Sequence, residues 1–282
     1  MIGYKYRSIN KNSIDSIINN TIYFSKYSDF NDPFEFSTPF PNLKTLYTRV
    51  SGGVDNLYRD KKLSLKNYIQ LKEICSEIVS DARHDLDKAH ARIKKMMNTF
   101  GIYCLSEVND EILMWSHYAD NHRGFCIEFN SLNESFTPRP NIFKLNYTEE
   151  YSDLNDPSLV LEFYEEMYYQ NAHLPESEWH EKYVNLMKKV KVIDDWKMAC
   201  AVMTDKSSRW AYEREFRLIS RSSGLKTFKP EHMESITFGL RTSHEDRKQI
   251  MEACRNSNKQ HVKYFQAKKA PGGFGLEIHL LT

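Results

Sequence analysis

The sequence predicts an α+β fold, a mainly antiparallel mixed sheet carrying helical insertions, and three observations point to it. The chain has 282 residues, enough to bury a substantial core without disulfide or metal staples. Segments rich in β-branched and aromatic residues lie towards both ends. Between them run long stretches whose apolar residues recur at helical spacing.

The elements follow in order. GYKYRSI reads as a strand, SIDSIINN places Ile14, Ile17 and Ile18 at helical spacing, and TIYFS returns to strand. FNDPFE is a turn signal. Asn and Asp bond locally to the backbone, and Pro33 fixes φ and opens a short helix capped by Asn31 or Asp32. Residues 40–60 read as loop. Residues 64–98 read as helix, with Leu65, Ile69, Ile74, Ile78 and Val79 among the apolar positions. Strand GIYCLSE, short helix ILMWSHYA and strand RGFCIEFN come next, with Gly124 in NHRG free to take φ > 0 at the helix end. FKLNYTEEY is a further strand. Residues 157–205 read as mostly helical, divided at Pro175, with PESE placing acids in the second first turn. The last third holds strands WAYEREFRLIS and SITFGL, a helix over SHEDRKQIMEACRN, strand HVKYFQA, a PGG turn and strand LEIHLL. GGFG at 272–275 lacks the strand-to-helix context of a dinucleotide fingerprint and reads as a hairpin turn. No repeat, linker or composition shift divides the chain. The expected organisation is a single α+β domain over 1–282 with helical insertions at about 61–98 and 157–205.

Composition narrows the function classes. Lys and Arg number 39 against 38 Asp and Glu, a net charge of +1, so no global field steers the chain towards nucleic acid or membrane. The basic runs RIKKMM at 92–97, KKVK at 188–191 and QAKKA at 266–270 read as solvated faces and loop charge. Five scattered Cys, none at C-x-x-C spacing, fit a reducing cytoplasm better than a disulfide framework. The opening MIGYKYRSINK has no apolar core, so no signal peptide is expected. No apolar run is long enough to cross a bilayer, and no membrane partner is expected.

Several residues carry candidate chemistry. Strand alternation through YEREFR puts Glu213, Glu215 and Arg217 on one face and Tyr212, Phe216 and Leu218 on the core face. Two carboxylates at i and i+2 stand about 7 Å apart. They suit a catalytic pair whose pKa values are split by mutual repulsion and by Arg217, or a solvated strand face with a Glu–Arg pair. Lys5 and Arg7 share one face of the first strand, opposite Tyr4 and Tyr6, and fit a phosphate grip or an edge-strand charge. Ser106 at a strand end fits a ligand pocket or the N-cap of the ILMWSHYA helix. Asp32 and Glu35 are open as ligand-orienting residue and base. Met114, His117 and Tyr118 fall close together on a helix and fit either ring stacking or core packing. His117 and His122 do not share a helical face, so no zinc pair and no metal are expected.

Five ordered segments, KYRSI with IYFS, FNDPFE, YCLSE, MWSHYADNHRGFCIEF and K-x-x-x-W-x-YEREFRLI at 206–219, resemble the bacterial family catalogued as domain of unknown function twenty-nine seventy-one. Its members are often encoded near phage-defence or mobile elements, which implies a toxin or defence effector and a possible neutralising partner. Arg7, Ser106 and Glu213-x-Glu215 also resemble, in chain order, the Arg–Ser–Glu pattern of ADP-ribosyltransferases. That resemblance implies NAD as cofactor. Arg7 with Lys5 would hold its phosphates, and Ser106 with His117 and Tyr118 its nicotinamide. Glu215 would be catalytic, with Glu213 assisting transfer to a protein or nucleic-acid acceptor, or to water. Where that superfamily often has Ser-Thr-Ser, this chain has Cys104-Leu105-Ser106. Two other classes stay open: a metal-dependent nuclease built on Asp32, Glu35, Glu213 and Glu215, and a non-enzymatic sensor module.

Overall fold

A computed structural model describes residues 1–158, 161–162, 165–166 and 195–281. In chain order the elements are β1 (Gly3–Arg7), α1 (Lys11–Ile18), β2 (Thr21–Phe24), α2 (Leu43–Arg59), α3 (Leu65–Thr99), β3 (Gly101–Ser106), α4 (Ile112–Tyr118), β4 (Phe125–Phe129) and α5 (Leu132–Ser135). There follow β5 (Phe136–Thr137), β6 (Asn141–Lys144), β7 (Asn146–Thr148), β8 (Asp205–Ser207), β9 (Glu215–Ser220), β10 (Gly224–Phe228), β11 (Met233–Phe238), β12 (Lys263–Lys269) and β13 (Leu276–Leu280). Further helices span Asp195–Thr204 and His244–Arg255. Contacts divide the chain into two compact units. Met1–Phe36, Met97–Glu150 and Thr204–Thr282 form the first, and Ser37–Met96 with Tyr151–Met203 form the second.

The first unit is α+β and mostly antiparallel, as the strand-rich ends predict. Its eight-stranded sheet runs β13-β12-β11-β4-β1-β3-β9-β6, with β11 and β12 the parallel pair. Alternation sorts the apolar side chains of the central strands into two layers. Phe125 and Ile127 face one layer with Tyr103, Leu105, Phe216 and Leu218, against α1 and the His244–Arg255 helix. The small sheet β2-β10-β5 covers that layer with Ile22, Phe24, Phe136 and Phe228. Cys126 faces the opposite layer with Tyr6, Met114 and Trp115. Trp115 is fully buried, and its indole N–H donates to the Asn109 carbonyl at 2.8 Å, so burial leaves it satisfied.

One seam of this sheet is nearly unzipped. β1 pairs with β4 over five residues and β3 with β9 over six. β1 and β3 share a single register pair, Tyr4↔Ser106, and part beyond it.

In the second unit, α2 replaces the loop expected at 40–60. Leu46, Val50, Val54 and Leu57 fall at i, i+4, i+8 and i+11 and are buried, and Asn42 caps the helix. Gly52 and Gly53 hid the pattern, because glycine weakens a helix by only about 1 kcal/mol and a buried apolar face outweighs it. The helix expected at 64–98 is α3. The side chains of Ile74, Ile78 and Val79 lie outside the described residues, as do Pro175, PESE and KKVK in the helical stretch expected over 157–205. Among the described residues no helix is long and apolar enough to cross a membrane.

Four local expectations are corrected. WAYEREFRLIS is not one strand: a 3₁₀ helix spans Ser208–Glu213, Arg214 turns at φ 44°, and β9 begins at Glu215. FKLNYTEEY breaks into β6 and β7. The short helix after Pro33 is a tight turn, with Phe36 at φ 59°. At the end of α4 the left-handed residues are Asp120, Asn121 and His122, while Gly124 serves close approach: a Cβ there would stand 2.1 Å from the Arg7 carbonyl oxygen.

Candidate functional site

The open seam makes a cleft of about 430 Å³ in the first unit. Residues 4–8 of one strand edge and 102–106 of the other line it, consecutive rather than alternate, because both edges are turned towards the gap. Such edges present backbone donors and acceptors that a ligand can meet. Lys5 spans the gap. Its ammonium donates to the Cys104 carbonyl at 2.9 Å and lies 4.7 Å from the centre of the Tyr103 ring. Burial, with Arg7 nearby, holds its pKa below the usual lysine value. Arg7 also lines the cleft. Among the described residues its guanidinium makes one hydrogen bond, to Ser16 Oγ at 3.4 Å, and has no acidic partner.

The floor is a buried ionic cage. Lys206 Nζ stands 3.2 Å from Glu35 Oε1 and 2.6 Å from Glu215 Oε2, and it also binds Glu213 Oε2. Arg217 Nε donates to Glu215 Oε1 at 2.9 Å, and Nη2 donates to Glu35 Oε2. Arg217 is fully buried and Lys206 nearly so. Phe30 and Phe36 pack against the guanidinium with ring centres at 5.4 and 4.8 Å and meet each other edge to face at 5.0 Å. The FNDPFE turn and the Phe36 that follows it bring both rings there. Asp32 Oδ1 accepts from the Phe34 N–H at 2.9 Å, which folds the turn and aims Glu35 inward.

Among the described residues of the cage, three carboxylates face two cations. Burial pushes the Glu213 carboxyl up to about 7, with Glu215 adding to the push against Lys206. Burial also acts on Glu215, but Arg217 and Lys206 outweigh it and hold that carboxyl well below the usual range. Burial opposes the Lys206 charge, yet Glu215, Glu213 and Glu35 together raise its pKa. Glu213 is the group placed to exchange a proton near neutrality. Tyr118 Oη donates to its Oε1 at 2.6 Å. Burial and the Glu213 charge keep that phenol protonated.

Lys5, Arg7, Ser106, Tyr118, Glu35, Glu213 and Glu215 all line this one cleft. Ser106 is opposite Glu215 in register; its hydroxyl donates to the Glu213 carbonyl at 2.7 Å and accepts from the Val108 N–H at 3.1 Å. It does not cap α4, whose N-cap is Glu111. Arg217 stands behind Glu215 and Glu35. Asp32 shapes the turn. His117 is exposed, bonds to Tyr212 Oη at 3.1 Å and lies outside the lining. Glu213 and Glu215 are not the i, i+2 pair of an extended strand; the Arg214 turn brings both onto one ammonium. The solvated face read for Glu215 and Arg217 is buried, and Tyr212 packs with the Trp115 layer rather than beside Phe216 and Leu218.

Two participants escaped the sequence reading. Lys206 stands in the K-x-x-x-W phrase, but nothing local marks it as the ammonium at the centre of the cage. Tyr147, whose hydroxyl accepts from the Glu215 N–H at 2.8 Å, belongs to a segment read only as strand. The cage also bears on the nuclease alternative. Glu35, Glu213 and Glu215 converge as that reading requires, but Lys206 and Arg217 already meet their charge, so a divalent cation would compete with a resident ammonium.

Residues 114–218 match the model of a family described as Protein of unknown function (DUF2971). The family resemblance read from the motifs is thus supported over a span running from the MWSHYA phrase to the end of YEREFRL. No curated protein and no solved structure matches the chain.

Proposed function

For a chain with this DUF2971 resemblance, we propose that the open seam between β1 and β3 binds NAD and that the chain transfers or hydrolyses its ADP-ribosyl group. The observation that carries the reading is the convergence of Arg7, Ser106 and Glu215, from three neighbouring strands, on one cleft. The residues fit the ligand. Arg7 has donors to spare for a pyrophosphate, and Lys5 adds a second cation at the same edge. Tyr103, Tyr118 and Met114 line the cleft and offer apolar contact to a flat ring. NAD supplies a ribosyl group joined to a cationic leaving group.

The chain's own residues divide the work. Glu215 is held as an anion and stabilises positive charge developing at the ribose. Glu213, titrating near neutrality, accepts the proton of the incoming hydroxyl or water. Lys206 and Arg217 fix both carboxylates, so little reorganisation is needed during reaction. The acceptor is a macromolecule or water. The free thiols of all five Cys suit work in a reducing cytoplasm, as a toxin or defence effector held in check by a neutralising partner.

The test is nicotinamide release from NAD by the purified protein, with protein, nucleic acid and host lysate supplied as acceptors. Turnover is expected, and Glu215→Gln is expected to lower it about 100- to 1,000-fold. Folded protein that releases no nicotinamide with any acceptor overturns the proposal.

A further inference from the structure

A second cleft of the first unit, about 920 Å³, draws together two motifs that the NAD reading leaves unused: the QAKKA run and the GGFG turn. β12 carries Lys268 and Lys269 to its rim, and the β12–β13 hairpin places Phe274 there. Arg241 and Arg247 come from the approach and first turns of the His244–Arg255 helix, and His122 from the end of α4. No acidic residue is among those that line it. In a chain with a net charge of only +1, four permanent cations in a lining that holds no acid are a local feature rather than a consequence of composition. The acids nearest in the chain lie outside the lining: Glu245 and Asp246 stand in the first turn of the His244–Arg255 helix, where Asp246 accepts from Ser243 Oγ at 2.7 Å, and Glu277, opposite Lys268 in the β12–β13 register, lies 3.0 Å from His279 Nε2.

The cleft also keeps unused hydrogen-bonding capacity. Arg247 Nη1 donates to Gln266 Oε1 at 3.1 Å, which aims the guanidinium, while its buried Nε has no partner among the described residues. His122 Nε2 bonds to Ser116 Oγ at 3.1 Å, and among the described residues its buried Nδ1 has no partner. Burial, then Arg241, lowers the His122 pKa and favours the neutral ring. At the tip Phe274 is fully exposed, between Gly273 and Gly275. An aromatic ring held out in water at the mouth of a cleft lined by cations is an arrangement that recognises a flexible polyanion with flat, stackable faces.

We propose that this cleft binds single-stranded nucleic acid, with Arg241, Arg247, Lys268 and Lys269 on its phosphates and Phe274 stacked on a base. The site stands apart from the NAD reading and holds whether or not NAD is turned over.

The experiment is fluorescence anisotropy of a labelled single-stranded oligonucleotide of about 15 nucleotides, long enough to span a typical single-strand site, with the full chain. Four phosphate contacts predict a slope of log K against log salt near −3, about −0.7 per contact. Arg241→Gln with Lys269→Gln, both exposed positions, is expected to flatten the slope by about half. Phe274→Ala is expected to weaken binding about tenfold. Arg7→Gln, in the other cleft, is expected to leave it unchanged. Absence of binding at low salt, or binding indifferent to the Arg241/Lys269 pair, overturns the proposal. So does equal loss in Arg7→Gln, which would place the strand in the first cleft. Competition by a poly-glutamate peptide as strong as by the oligonucleotide would make the ligand an acidic protein. Duplex binding as tight, with no effect of Phe274→Ala, would remove the single-strand reading.

Discussion

Lys206 holds its ammonium among three carboxylates, and its removal would leave Glu35 and Glu215 sharing the Arg217 guanidinium and take from Glu213 the ammonium that binds it. Lys206→Met is therefore expected to cost about 3–5 kcal/mol in chemical denaturation at pH 7.5, the penalty of an uncompensated buried charge. The pH dependence has a definite sign. Burial places the folded-state value of Glu213 at about 7, above its ordinary 4.5, so the folded chain keeps a proton that the unfolded chain releases between those values. Its contribution to stability is complete below that window and is lost as pH rises through about 7. Loss of Lys206 pushes the carboxyls further up, so the deficit of Lys206→Met should shrink markedly at pH 5. A deficit that stays constant or grows on acidification would mean that the cage is not the source of the effect. Glu213, Glu215 and Arg217 were visible in the sequence as a charged trio. Their burial was not, because the partner that closes on Arg217 lies 182 positions away at Glu35.

At the scale of elements, the joint between α4, β4 and β1 sets where Arg7 stands. Gly124→Ala would drive a methyl group into the Arg7 carbonyl, and backbone on both sides leaves little room to yield. The expected cost is about 1–3 kcal/mol by thermal or urea unfolding, with weaker NAD binding as β1 shifts. Unchanged stability would show that β1 can slide without penalty and that the seam is not a fixed cleft. Periodicity revealed β1, α1, β3, α4, β4 and β11 because each buries side chains at a regular local spacing. It missed α2, where two glycines interrupt the composition, and β10, whose exposed faces carry little apolar signal. It also extended β9 through Arg214, because alternation of residue types does not reveal a left-handed turn.

For the whole molecule, ligand linkage gives a readout independent of chemistry. If the first cleft binds NAD, the dinucleotide at one hundred times its Kd should add about 2.7 kcal/mol to the unfolding free energy. Arg7→Gln should abolish that gain. Absence of any gain up to millimolar NAD, in protein that still binds the oligonucleotide, would remove the NAD reading and leave the second cleft standing. The α+β class, the strand-rich ends, the helical spacing and the near-neutral charge were all determined by the sequence itself, since each depends on composition or on neighbours a few residues apart. The tertiary structure alone decided the rest. It parted β1 from β3 after one register pair, closed FNDPFE over Arg217, centred Lys206 among three glutamates and gathered four cations around a bare phenylalanine. The physical reason is that strand order and register join residues far apart in the chain, and a carboxylate's charge state is set by whichever cation the fold brings beside it.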